Sequence, residues 1–511
     1  MSAPSPSLLV RNTVWNGIGR IGTVAIALFL TPYVIARIGQ DAFGLWALSN
    51  LLVGYLSVAD FGIQSSLIRQ IAHARPAKDP RQLDRIVSTS VLFYLGLFVP
   101  AAPLAYFAAP WITNLFTVPP DLIADAEFVV ALTAAFVFYS IATAVFTSIL
   151  PGLQRMDYSN QLTIASSVLN LGATVFVLES GWGVRGLVVA GLAVKTLTAG
   201  ASYVLVRRLH PGFRISLADY SWDVWKELFS FGWKIQVSRV SELLTFTFDR
   251  IFLSVYGGVA ALGRYQPAVQ VATQTRMLPH LLVMAALPYA SELSAMEDRK
   301  TLLRLYFRGT LYLTFFAFGI LGFVGAAAPF LTTAWLGPGY EDVALWIRIF
   351  SVGYLFNAPM SLAGLISQAI GRPGIQARSA MIGTVLNCTL APLGFYYADI
   401  TGLTIGATLA VVAATLWFAR ALHRALELRT LTVLRECFLQ PSLWLLAPAV
   451  VLAAVLQQFI GFAASKADSL LVIAAAGAVY GGIALLGATW MELWSIRKHL
   501  AASPAQSAEA E

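Results

Sequence analysis

Apolar residues in this 511-residue chain gather into long runs, and the short segments between them hold most of the charge. A helix needs about 20 mostly apolar residues to cross a bilayer, with charge or turn residues marking its ends. Such runs occupy about 13–36, 42–68, 86–108, 124–150, 159–179, 185–206, 228–256, 261–288, 307–328, 343–368, 378–397, 402–419, 442–464 and 469–490. The pattern predicts about fourteen transmembrane helices and an all-α polytopic membrane protein. The ten-residue alternation of a membrane β-barrel is absent. Runs 1, 2, 7 and 8 contain internal charges, so hydropathy marks them least sharply.

Composition narrows the class. Hydrophobic residues make up 58% of the chain and charged residues only 12%, against about 25% charged in soluble domains. That balance excludes a string of soluble domains, a disordered chain and a disulfide scaffold. Cys388 lies in an apolar run and Cys437 in a basic loop, so no disulfide framework is expected. Residues 1–11 lack a compact apolar core ending in a cleavage site, and no removable signal peptide is expected.

The positive charge of +8 has a topological pattern. With the amino terminus inside, cytoplasmic segments hold 23 of the 34 lysines and arginines, and periplasmic segments hold four: Arg37, Arg185, Arg264 and Lys466. This asymmetry predicts cytoplasmic termini and an even helix number. The bases are scattered over short loops, so nucleic acid is not an expected partner. No loop exceeds roughly 20 residues, which leaves no room for a soluble catalytic domain.

The chain repeats weakly along its length. Val-Leu-Asn recurs at 168–170 and 385–387, and the same offset of 217 carries Arg155 onto Arg372. An offset of 219 carries Arg20 onto Arg239 and Gly44 onto Gly263. These shifts equal six helices and predict two six-helix lobes in parallel repeat plus two C-terminal helices, a recurring transporter design. The expected division is an N-lobe at 1–206, a cytoplasmic connector at 207–227, a C-lobe at 228–419, a second connector at 420–441, helices 13 and 14 within 442–490, and a tail at 491–511. In the first connector, Trp222 and Trp225 among charges suit an interfacial helix or a plain anchored linker.

Charge inside the runs carries the candidate chemistry, because a charge at the bilayer centre costs about 2.5–3.5 kcal/mol on insertion scales. Seven basic residues sit within runs: Arg20, Lys195, Lys234, Arg239, Arg250, Arg276 and Arg348. Apart from carboxylates in the outermost turns, three acids join them: Asp60, Glu242 and Asp249. On run 7, a turn of 100° per residue places Lys234, Arg239, Glu242, Asp249 and Arg250 on one half of the helix, over about 24 Å of its length. One reading is ion pairing that locks helices, such as Glu242 with Arg239 or Asp249 with Arg250. The basic excess favours another, a hydrated cationic cavity between the lobes for an anionic passenger. Arg20, Arg239, Arg250 and Arg276 are then the expected substrate contacts. Asp60, Glu242 and Asp249 are expected to set charge balance or take up a coupling proton. Asp60 lacks a basic neighbour in sequence, whereas Glu242 has Arg239 three residues away, so Asp60 is the better expected proton carrier.

Other chemistry is not signalled. His73, His210, His280, His423 and His499 have no metal-ligand spacing, and no P-loop, GxSxG or CxxC occurs. A catalytic residue, a metal and a cofactor are therefore not expected. A gradient of protons or sodium ions, or another protein, must supply the energy.

Several strings resemble one family: LLVGYLSVADFGIQSSLIRQIA in run 2, PGLQRMDYSN after run 4, TFDRIFLSVYGGVAALGRYQPAVQ across runs 7 and 8, and AWLGPGYEDV before run 10. Together, over about residues 8–495, they resemble Wzx-like polysaccharide flippases for O-antigen or exopolysaccharide, in the multidrug/oligosaccharidyl-lipid/polysaccharide exporter superfamily. The resemblance implies an inner-membrane protein that passes undecaprenyl-diphosphate-linked oligosaccharide to the periplasmic face. It also implies a polysaccharide polymerase and a chain-length regulator as partners. Arginine forks suit a diphosphate, since they bind its oxygens in pairs. The same resemblance leaves two alternatives, a multidrug and toxin extrusion antiporter and a lipid II flippase of peptidoglycan synthesis.

Overall fold

The computed structural model describes residues 6–74, 80–210, 213–283, 299–462 and 465–502. Every regular element among them is helical. The first continuous stretch, Pro6–Leu56, is divided at Gly39, where φ 81° and ψ 169° leave helical geometry. It gives α1 (6–38) and α2 (40–74), the latter bent once more at Ser57–Gly62. There follow α3 (Pro80–Thr113), α4 (Ile123–Gly152), α5 (Met156–Glu179), α6 (Gly183–Leu209), α7 (Trp222–Tyr256), α8 (Gly258–Val283), α9 (Arg299–Leu336) and α10 (Glu341–Ala369). Gly374–Ala425 breaks at Ala398 and Asp399 into α11 (374–397) and α12 (400–425). A π-helical turn at Ser442–Leu446 interrupts α13 (Thr430–Gln458), and α14 (Lys466–Ala502) ends the described chain.

Ten described stretches are long and apolar enough to cross a membrane. Two of these contain the breaks at Gly39 and at Ala398–Asp399, and α7 and α8 are not among the ten. Dividing the broken pair and adding α7 and α8 gives the fourteen helices that the hydropathy pattern predicts. Charge explains the omission of α7, which carries Lys234, Arg239, Glu242, Asp249 and Arg250 along its length.

The chain forms two compact units, Met1–Pro267 and Ala268–Glu511, with the boundary inside α8. The first unit has a core of Ile63, Leu67 and Ile71 from α2, Val87 and Tyr94 from α3, Val145 and Ile149 from α4, and Leu228 from α7. Its two ends are distinct. At one end the 213–221 segment lies on the start of α3: main-chain N–H groups of Ser216 and Ser221 donate to Ser88 Oγ (3.2 Å) and Thr89 Oγ1 (3.0 Å). At the other end Arg37 pairs with Glu179 at 2.6 Å, Arg185 with Asp125 at 2.5 Å, and Thr117 Oγ1 donates to the Val255 carbonyl at 3.0 Å. The basic loops gather at the first of these ends.

The second unit is tied in the same way. Tyr306 of α9, His423 of α12 and Thr430 of α13 form a buried chain, with 2.8 Å from Tyr306 Oη to His423 Nε2 and 3.1 Å from His423 Nδ1 to Thr430 Oγ1. Arg299 closes that end on Glu427 at 2.7 Å. Phe318, Leu445 and Tyr480 pack α9, α13 and α14 together.

The repeat seen in the sequence is written into the backbone. After α4, the N–H of Arg155 reaches the carbonyl of Leu150 (2.9 Å) and that of Gln154 reaches Pro151 (2.9 Å), with Gln154 at φ 59°. After α10, the N–H of Arg372 reaches Ser367 (2.9 Å) and that of Gly371 reaches Gln368 (3.0 Å), with Gly371 at φ 71°. Each is a Schellman cap with a left-handed residue, and each atom pair maps onto its counterpart at the offset of 217.

One expected feature differs. Trp222 and Trp225 do not form a separate interfacial helix; they are the first turns of α7 itself. Their rings stack at 4.4 Å, and Trp225 stacks in turn on Phe229 at 5.1 Å. Ser221 caps the helix, its Oγ accepting from the Val224 N–H, so α7 starts six residues before its apolar run.

Candidate functional site

The break in α2 has a local cause. A 3-10 turn covers Ser57–Asp60, and the next two residues, Phe61 (φ 50°) and Gly62 (φ 70°), are left-handed before the helix resumes at Ile63. Gly62 is required twice over. Its backbone favours glycine, and a Cβ there would run into the carbonyl of Gly232 on α7. The reverse also holds, since a Cβ on Gly232 would lie 2.6 Å from the Phe61 carbonyl oxygen. The two helices thus meet main chain against main chain.

That contact sets the register of α7 against the break. One turn beyond Gly232, Gln236 Nε2 donates to the Val58 carbonyl at 2.9 Å, serving a main-chain group in the interrupted stretch. Two turns beyond, Arg239 reaches Asp60: Nη1 stands 3.8 Å from Oδ2, and Nη2 donates to Ser65 Oγ at 2.9 Å. The other carboxylate oxygen, Oδ1, accepts from Tyr94 Oη of α3 at 2.6 Å, and the same hydroxyl lies 3.0 Å from the Asp60 carbonyl. Such a short O–H···O bond is typical of a charged acceptor. Exposure separates the partners: the Asp60 side chain is 6% exposed and that of Arg239 is 52%. Asp60 is the buried anchor, and Arg239 presents the accessible charge.

Asp60 therefore has a basic partner after all, supplied by α7 and not by its own helix. The sequence shows no basic neighbour for Asp60 on its own helix; the partner comes from α7. The other nominated residues are placed differently. Asp249 is buried and accepts from Tyr265 Oη at 2.8 Å. No ion pair joins it to Arg250 among the described residues; Arg250 instead donates from Nη2 to the Phe246 carbonyl of its own helix at 2.9 Å. Arg250 lies about 16 Å beyond Arg239 along α7 by helical rise. Arg276, in the second unit, has its guanidinium 5.6 Å from the centre of the Tyr354 ring, and Arg348 donates to the Gly325 carbonyl at 3.1 Å. The side chains of Arg20, Lys234 and Glu242 lie outside the described residues.

Sequence reasoning missed Tyr94, Gln236 and Ser65. A tyrosine in an apolar run breaks no rule, and nothing in the sequence brings α3 to Asp60. The available signal was glycine: Gly62 directly after a charged residue, and Gly232 within the most charged helix. Broken helices with polar groups at the break are where membrane transporters place their sites.

The comparisons with known proteins agree with this architecture. A family model described as polysaccharide biosynthesis protein matches residues 9–294. The chain belongs to this family. A Shigella flexneri protein provisionally named an O-antigen transporter is 25% identical over 374 residues, spanning 72% of this chain and 87% of its own. The succinoglycan biosynthesis transport protein ExoT of Rhizobium meliloti is 24% identical over 281 residues, spanning 54% and 52%. Among solved structures, the lipid II flippase MurJ in an inward closed conformation superposes with a TM-score of 0.68 at 12% identity, covering 92% of this chain and 98% of MurJ. An inward-facing multidrug transporter of the MATE family gives 0.67 at 18% identity, covering 80% and 98%. The last two show a shared fold. The family member described here is thus a multi-pass helical membrane protein with a transporter fold.

Proposed function

We propose that this protein flips undecaprenyl-diphosphate-linked oligosaccharide repeat units from the cytoplasmic to the periplasmic face of a bacterial inner membrane, for polysaccharide biosynthesis. Family membership and relatives named for O-antigen and succinoglycan transport support the substrate class. The observation that carries the reading is Arg239, a half-exposed arginine in mid-helix held over a buried carboxylate. An arginine so placed is costly unless it is used, and its fork fits phosphate oxygens. Of the four arginines nominated as substrate contacts, Arg250 and Arg276 are less exposed than Arg239. Arg239 is the principal phosphate ligand in this reading.

Movement between inward- and outward-open states is driven by a proton or sodium gradient, with Asp60 as the group that exchanges Arg239 for a proton. Both termini lie in the cytoplasm, as the distribution of basic residues directs. A polymerase and a chain-length regulator receive the flipped unit.

The test is deletion of the gene, followed by analysis of undecaprenyl-linked intermediates and surface polysaccharide. Lipid-linked repeat units should accumulate on the cytoplasmic side while surface polysaccharide disappears, and the intact gene should restore export. Accumulation of lipid II instead assigns the protein to peptidoglycan synthesis. Unchanged polysaccharide with increased sensitivity to cationic drugs assigns it to drug extrusion.

A further inference from the structure

A second charged feature lies in the first unit, at the end where the basic loops gather. A cavity of about 250 Å³ opens between α2, α3 and α7. Arg69 and Gln70 of α2, Gln82 and Arg85 of α3, and Glu227 and Phe231 of α7 line it. On α7 this face is opposite the Trp222–Trp225–Phe229 stack, because Glu227 and Phe231 point about half a turn away from those rings at 100° per residue. Helix α7 thus carries an aromatic ladder on one side and a polar pocket on the other.

Among the described lining residues, two bases face one acid. Arg69 is held with its guanidinium 4.2 Å from the centre of the Phe231 ring, which fixes the head group over the cavity. Arg85 and Glu227 both line the cavity, yet no ion pair joins them among the described residues. Gln70 adds a buried amide nitrogen, Nε2, with no hydrogen-bond partner among the described residues. Two guanidiniums, two amides and one carboxylate make a pocket that is net positive, rich in donors, and the size of a head group.

We propose that this cavity is a phosphoryl-binding site at the membrane–water boundary, in which Arg69 and Arg85 grip the phosphate of a lipid head group from two helices. Its lining includes Glu227 and Phe231 on α7 and reaches Ser66 on α2, next to the Ser65 that Arg239 bonds; the Asp60–Arg239 pair lies deeper, with Arg239 about 12 Å of helical rise beyond Phe231. On the orientation proposed above, the site faces the cytoplasmic leaflet. Two sources offer the same chemistry, the diphosphate of a lipid-linked sugar and the phosphodiester of a bulk phospholipid. Glu227 distinguishes them, because it repels a diphosphate and attracts the ammonium of an ethanolamine head group.

The experiment uses the purified full-length protein in detergent, titrated calorimetrically with inorganic diphosphate and with short-chain phosphatidylethanolamine. Wild type should bind at least one of the two probes saturably. Arg69→Gln and Arg85→Gln should each weaken that binding tenfold or more, the size expected for losing a hydrogen-bonded charge. Arg85→Lys should restore part of it, and Arg155→Gln, at a residue that is not among those lining the pocket, should bind as wild type. Glu227→Gln should tighten diphosphate severalfold if the source is a diphosphate, and weaken the ethanolamine lipid if the source is a phospholipid. Elution volume and melting temperature confirm that each variant is folded. No binding of either probe to wild type, or equal binding by wild type and a folded Arg85→Gln, overturns the proposal. Export plays no part in the measurement, so its outcome is independent of the flipping function.

Discussion

The guanidinium of Arg239 stands 3.8 Å from the carboxylate of Asp60, close enough to pair and too far to hydrogen-bond. Ser65 takes one of its donors, and half of the side chain is left exposed. A pair of this kind exchanges partners more readily than a buried bidentate one, because breaking it leaves Asp60 still bonded to Tyr94 and Arg239 still bonded to Ser65.

Replacing Arg239 should abolish export. Arg239→Ala removes the accessible charge, and surface polysaccharide should fall tenfold or more at normal membrane abundance. Arg239→Lys keeps the charge without the fork and should rescue only partly, while Arg75→Ala, outside the apolar runs, should export as wild type. Normal export by Arg239→Ala at normal abundance would make its charge structural.

Tyr94→Phe removes one hydroxyl and leaves a buried carboxyl short of a donor. The loss of a hydrogen bond to a charged group is about 1.5–3 kcal/mol, so the melting temperature should drop measurably in detergent. Asp60→Asn keeps an acceptor for Tyr94 and should melt closer to wild type, but should lose gradient-driven export. If Tyr94→Phe melts as wild type, the 2.6 Å bond contributes nothing to stability.

Glycine substitutions should separate by position. Gly62→Ala and Gly232→Ala each drive a methyl group into the opposing main chain, and both should yield little folded protein. Gly191→Ala on α6 meets nothing within 4 Å and should be tolerated or mildly stabilising, since alanine is the better helix former. Size-exclusion profiles of the three variants decide the matter.

The duplicated caps predict opposite effects at matched sites. Gln154 occupies a left-handed position that costs a side-chain-bearing residue about 1 kcal/mol, and its counterpart Gly371 avoids that cost. Gln154→Gly should therefore leave stability unchanged or raise it slightly, and Gly371→Ala should lower it, both read from thermal unfolding.

Orientation is open to direct assay. Reporter fusions after Asp121, Gly339 and Asp468 should signal periplasm, and fusions after Lys78 and Lys300 cytoplasm. A swapped pattern at two of these would reverse the assignment of both faces.

Helices were legible from the sequence because a bilayer leaves the chain few alternatives: twenty apolar residues between charges have one stable form. Asp60 and Arg239 were legible one at a time for the same reason, as charges in apolar surroundings. Their partnership was not. The i, i+3 spacing directed attention to Glu242 as the neighbour of Arg239, while the pairing that the structure describes runs between α2 and α7. Tyr94 and Ser65 give no anomaly to read, since both residue types are common in membrane helices. The repeat was legible from scattered matches, and Arg155 and Arg372 prove to close the same hydrogen-bonded turn.

The meeting of Gly62 and Gly232 makes α2 and α7 a keyed joint. Where side chains separate two helices, rotamers can absorb a small slide; here main chain bears on main chain, and no cushion exists. In the cycle proposed above, a tilt of α7 would be passed directly to the kink that carries Asp60, and a proton arriving at Asp60 would push back on the whole helix. On that proposal the joint couples a local change of charge to the movement of a 35-residue rod.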